Sequence, residues 1–98
     1  RLLAGLHREQ QAIASRALAD VVHASLLRRA RREIPRLPDR GVKSAMFYVL
    51  VGAEMPAILV EASFMSRPEE LEQLRTIRYR QALAEGIASG IVRYAHAL

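Results

Sequence analysis

Few side chains in this sequence are of the types that do chemistry, and one of them stands out by position. Glu61 closes the apolar run Ala57-Ile58-Leu59-Val60. An acid at the C-terminal end of a hydrophobic strand is where α/β proteins commonly place a reacting group. From the pattern alone two readings stand. Glu61 is a general base or acid, or it caps a loop at the strand end and pairs with an arginine. Glu54 is the competing acid, but it falls in the break Gly52-Ala53-Glu54-Met55-Pro56, where solvation is the default.

The histidines offer less. His7, His23 and His96 are far apart, and none belongs to an H-x-x-x-H or H-E-x-x-H pair. Asp20 and His23 are three apart on one helix and could share a metal, yet two ligands do not make a zinc site. A helix-surface ion pair is the simpler account of them. The sequence contains no G-x-S-x-G elbow, P-loop or dinucleotide fingerprint. Its serines have no adjacent base, so a self-contained nucleophilic triad is not expected.

The elements that must position Glu61 can be read from periodicity. Residues 1–33 contain no proline, one glycine and many good helix formers. Ala14, Leu18, Val21, Val22 and Leu26 recur at three- and four-residue steps, which predicts a long helix over about 6–32, either continuous or interrupted near Ser15. Two prolines and Gly41 make residues 34–41 a connection. The runs 45–51 and 57–61 are β-rich and continuously apolar, and both are expected to be strands with covered faces. Ser66-Arg67-Pro68-Glu69 fits an S-x-x-E capping box that starts a short helix reaching about Thr76. A last helix is expected over 79–96. Leu83, Ile87, Ile91 and Tyr94 would line one face of it, with Gly86 and Gly90 as a flat strip for close packing. The order long helix, two strands, short helix, long helix reads as α/β.

Composition narrows the partners. The chain has 98 residues, a net charge of +5 and 15 Lys+Arg against 10 Asp+Glu, and almost all the positive charge is arginine. That suits an anionic partner without naming one. Arg28, Arg29, Arg31 and Arg32 could form a nucleic-acid or anionic-polymer patch. No aromatic residues interleave with them as single-strand binding would require, and cations at a helix C-terminus complement its dipole. Cysteine is absent, which excludes disulfide and thiolate sites. No apolar run reaches the roughly 20 residues of a membrane span. The opening Arg1-Leu2-Leu3, without a methionine, reads as the start of an excised fragment.

Asp39-Arg40-Gly41-Val42-Lys43-Ser44-Ala45-Met46-Phe47-Tyr48-Val49-Leu50 and Met55-Pro56-Ala57-Ile58-Leu59-Val60-Glu61-Ala62-Ser63-Phe64-Met65-Ser66 together resemble the C-terminal half of the zinc-dependent N-acetylmuramoyl-L-alanine amidases of bacteria. Ser15-x-x-Leu18-Ala19 and Ala84-x-x-Ile87-Ala88-x-Gly90-Ile91-x-x-Tyr94 resemble that family's flanking helices. Arg67 stands where asparagine is usual, and Ala62-Ser63 where Thr-Gly is common. The resemblance implies that residues 1–98 are the C-terminal portion of a single amidase catalytic domain, part of a mixed, mostly parallel sheet flanked by helices. It also implies that Glu61 is the catalytic glutamate, and that Zn2+ is the cofactor with its ligands in an upstream segment. Peptidoglycan is then the partner, in the periplasm or outside the cell. There is room for an activator protein, and neither nucleic acid nor a membrane span enters. The alternative from another class is a small basic module that binds nucleic acid or anionic wall polymer. A helical interaction domain is argued against by the two apolar runs.

Overall fold

The Ala-, Leu-, Arg- and Gln-rich front of the chain forms one helix, and the prolines at 35 and 38 bring the chain out of it. The structure, a computed structural model, describes residues 2–44, 50, 52–63 and 66–98, with residues 2–4 by backbone alone. Its helices are α1 (Leu2–Ala30), α2 (Pro68–Leu74) and α3 (Ile77–His96). Of the two alternatives at Ser15, helix α1 takes the continuous one, with a length of about 43 Å at 1.5 Å per residue.

Helix α3 packs along α1, and glycine sets how closely. A Cβ added at Gly90 would lie 2.7 Å from the Val22 Cα, and one at Gly86 would lie 2.9 Å from the Leu26 Cα. As the α3 numbering rises, the α1 numbering falls, so the two helices are antiparallel. Ser25, buried on α1, donates its hydroxyl proton to the Gly86 carbonyl at 2.7 Å, and Arg29 reaches Glu85 at 3.1 Å. The flat glycine strip expected from the sequence is therefore the seam of the helix pair. The rest of the α3 face differs from expectation. Tyr79, Ala82, Leu83, Gly86 and Gly90 are buried, while Ile91 and Val92 are about half exposed. Close approach at the glycines turns that side of α3 inward, and the larger side chains at 91 and 92 are left outside.

The core lies where α1 ends. Ala30, Ile34, Leu37, Tyr79 and Leu83 are buried together, with Leu26, Leu27, Ala62 and Leu74 packed against them. Arg31 donates from Nε to the Leu37 carbonyl at 2.9 Å, which folds the proline-bearing connection back under α1. Glu33 takes Arg29 and Arg78 at 3.4 and 2.9 Å. Thr76 caps α3 by accepting the Tyr79 N–H at 3.1 Å.

The expected α/β architecture is corrected. Among the described residues the chain is all helical, with no strand and no sheet. Most of the first expected strand, residues 45–49 and 51, lies outside the described residues. The second, residues 57–61, is irregular. A strand exists through its ladder partner, and no backbone ladder reaches these residues within the described part. Instead the Ala57 N–H goes to a side chain, the Ser15 Oγ, at 3.0 Å.

The capping box at Ser66 is also corrected. Arg67 is the N-cap of α2, with φ −101° and ψ 115°, and it makes no side-chain capping bond. A residue before proline is pushed out of the helical region. Pro68 therefore takes the first helical position and shifts the start by one residue.

Candidate active site

The site is built from three stretches that meet beside α1. The segment 40–44 and the segment 57–61 lie against the middle of that helix and enclose a groove of about 370 Å³. Ser15, Arg16, His23 and Leu26 of α1 line one side, and Gly41 to Ser44 with Ala57 to Glu61 line the rest. A shallow depression of about 500 Å³ on the outer side of α3, lined by Ala88, Ser89, Val92, Arg93 and His96, shares no residue with it. That depression holds no acid, and nothing connects it to Glu61.

Each wall is held by a different device. At 39–41 the chain makes an Asx turn. The Asp39 carboxylate accepts the Gly41 N–H at 2.8 Å and the His23 Nε2–H at 2.7 Å. Gly41 has φ +75°, a conformation in which glycine is favoured over side-chain-bearing residues. The His23 hydrogen bond first, and the Gly41 N–H second, hold the Asp39 carboxyl below its ordinary value. This pair ties the turn to α1.

One residue on, Arg40 reaches the start of α2. Its Nη1 and Nη2 donate to Glu70 Oε1 and Oε2 at 3.0 and 2.6 Å. Arg67 Nε adds a contact of 2.9 Å to the same carboxylate. Glu70 is 2% exposed, and a carboxylate so buried is tolerated only when paired and hydrogen-bonded. The bonded Glu70 in turn holds the Arg40 guanidinium above its usual value.

Glu61 itself is exposed at the end of the irregular segment 57–61. The residues beside it explain that placement. Ala62 packs on the core cluster, and the Ser63 Oγ lies 3.3 Å from the Tyr79 hydroxyl. With Ala62 and Ser63 held from behind, Glu61 lines the groove, and it is the only carboxylate among the described residues of that lining.

The other sequence candidates do not join it in a site. Glu54 is exposed and outside the groove lining. Asp20 and His23 do not face a shared point, since Asp20 pairs with Arg16 at 3.1 Å and His23 with Asp39. His7 is engaged with Gln11 at 3.1 Å, and His96 lies in the last turn of α3. Among the described residues no three His, Asp or Glu side chains could hold a metal ion, so these residues do not by themselves fit a zinc site. The basic run at 28–32 is partly consumed within the fold, Arg29 by Glu33 and Glu85 and Arg31 by the Leu37 carbonyl, which weakens the basic-module alternative. The Arg40–Glu70–Arg67 cluster was not visible in the sequence. Arg40 and Glu70 are thirty residues apart, and only the Arg67-Pro68 pair that sets the α2 start hints at a charged helix mouth.

Among the described residues the second expected strand does not form, which weakens the argument raised against a helical interaction domain, and comparison with known proteins gives the family. A family model described as N-acetylmuramoyl-L-alanine amidase matches residues 5–93. The N-acetylmuramoyl-L-alanine amidase AmiA of Salmonella typhimurium is 42% identical over 65 residues, 66% of this chain and 22% of that protein. AmiC of Neisseria meningitidis, also named as such an amidase, is 39% identical over 88 residues, 80% of this chain and 21% of that protein. LytC of Bacillus subtilis, of the same name, is 39% identical over 56 residues, 57% of this chain and 11% of that protein. The chain thus spans about a fifth or less of the length of these relatives. No solved structure matches it. No helix among the described residues is long and apolar enough to cross a membrane. With a family match that runs through α1, both groove segments and most of α3, the chain belongs to the N-acetylmuramoyl-L-alanine amidase family.

Proposed function

We propose that these residues form the C-terminal portion of a single amidase catalytic domain and supply its catalytic carboxylate, Glu61. The reaction is hydrolysis of the amide between the lactyl group of N-acetylmuramic acid and the L-alanine of the stem peptide, in the cell envelope. The observation that carries this reading is the placement of Glu61. Its side chain is exposed on a groove while its neighbours at 62 and 63 are fixed on the core and on Tyr79.

A carboxylate so placed can take a proton from an attacking water and pass it to the departing L-alanine amine, so that it ends the cycle as it began. Immobile neighbours matter to this role, because the carboxylate must stay within hydrogen-bond reach of both partners. The family resemblance implies zinc as cofactor, which the described residues alone do not provide for. The proton traffic through Glu61 is what this chain itself contributes.

The test is Glu61→Gln in the full-length protein, an isosteric change that removes the base. Peptidoglycan hydrolysis is expected to fall by about 10²–10⁴-fold, with bound metal and thermal stability unchanged. Near-wild-type hydrolysis by that variant would sink the assignment.

A further inference from the structure

Four cationic or titratable side chains line the groove beside Glu61: Arg16, His23, Arg40 and Lys43. Three of them are already matched to carboxylates. Arg16 holds Asp20 at 3.1 Å, His23 holds Asp39 at 2.7 Å, and Arg40 holds Glu70 at 2.6 Å. Lys43 is exposed, and no carboxylate among the described residues lies within ion-pair distance of it. It is also the chain's only lysine, so this ammonium is the one compact, flexible point charge available. It does not pair with Glu61 although both line the same groove, which leaves Glu61 open to a proton and Lys43 open to an anion.

We infer that Lys43 binds a carboxylate of the stem peptide in this groove, and so gives the site a preference for substrates whose carboxyl is free over those in which it is amidated. The inference rests on the reading of the groove as the substrate cleft. Its chemistry is simple. A peptide that begins with the scissile L-alanyl amide carries at least its C-terminal carboxylate. A lysine on the groove wall, with its segment pinned by the Asp39 turn and the Arg40–Glu70 bonds, offers that anion a partner. Arginine is abundant in this chain, but the arginines of the groove are held by acids outside its lining, so they add little attraction for a ligand. Amidation of the ligand replaces a charge by a neutral group of the same shape, and so isolates the electrostatic contact.

The experiment uses the full-length protein and muramoyl peptides in which one carboxyl at a time is free or amidated. Wild type is expected to cleave at least one free-carboxyl peptide with a kcat/KM about five-fold or more above its amidated partner, a size ordinary for a charge-assisted contact. Lys43→Met and Lys43→Gln should erase that preference by raising KM for the free form with kcat little changed, and Lys43→Arg should restore much of it. A preference that persists in both charge-free variants, or that is absent from wild type at every carboxyl, overturns the inference. If wild type cleaves none of these peptides nor peptidoglycan, the amidase reading falls and takes the inference with it. If wild type cleaves them and Glu61→Gln does not, while the Lys43 variants behave as wild type, only the role of Lys43 is lost.

Discussion

The α1–α3 pair and the groove segments are held together in opposite ways. Between the helices, backbone meets backbone. Glycine at 86 and 90 lets Leu26 and Val22 approach so closely that no side chain fits between, and such packing has the density of a crystal and little tolerance. Around the groove, chain without regular structure is tied down by side chains: Ser15 to the Ala57 N–H, Asp39 to His23 and Gly41, Arg40 to Glu70. The first region is rigid because nothing can be added to it. The second is placed by a few bonds, each of which can be removed singly. Chemistry is proposed in the second, where a side chain must present itself to a ligand rather than fill space.

Four substitutions probe that contrast. Gly90→Leu should be the most damaging, since its side chain would have to displace the Val22 backbone. Overpacking of this kind should cost about 3 kcal/mol or more, well beyond the gain of about 1 kcal/mol in helix propensity. Urea unfolding that shows a change under 1 kcal/mol would mean the seam is looser than described. Arg40→Met should come next. It leaves the buried Glu70 with a weaker partner set, at a cost of about 2 kcal/mol, less than for a fully buried pair because Arg40 is partly exposed and Arg67 remains. Hydrolysis should drop in this variant as well, since the groove wall loses its tie to α2, and unchanged kinetics would uncouple clamp from site. Ser15→Ala withdraws the acceptor of the Ala57 N–H and should cost about 1 kcal/mol, read in the same unfolding experiment. Asp39→Asn should have the smallest effect, and it is pH-dependent. The folded-state pKa of Asp39 lies below its ordinary 3.8. Its contribution is therefore present above that value and is lost as the pH falls through the folded-state pKa. The asparagine variant should lose that part of the acid limb of the stability profile, and a profile identical to wild type would mean the His23 contact stabilises nothing.

The helices were legible in the sequence, while the expected sheet does not form among the described residues, and both follow from one physical reason. A helix closes its hydrogen bonds within itself, so propensity, the prolines at 35 and 38 and the Thr76 cap largely decide where it runs. An apolar run such as 57–61 becomes a strand only beside a partner, and sequence pattern alone cannot say whether one is present. The glycine strip of α3 and Leu83 were legible, but Ile91 was given an inward place because a hydrophobic pattern weights large apolar side chains, whereas α3 meets α1 where a side chain is absent. Glu61 could be singled out from its run and from family resemblance. Its surroundings could not, because the Arg40–Glu70 and Ser63–Tyr79 contacts join residues far apart in sequence.

The Arg40–Glu70 clamp also bears on motion. It joins two points thirty residues apart, so loss of these bonds would part the 39–41 turn from the start of α2. Where that happens, the amide protons of the first turn of α2 should exchange with solvent ahead of those in the α1–α3 seam.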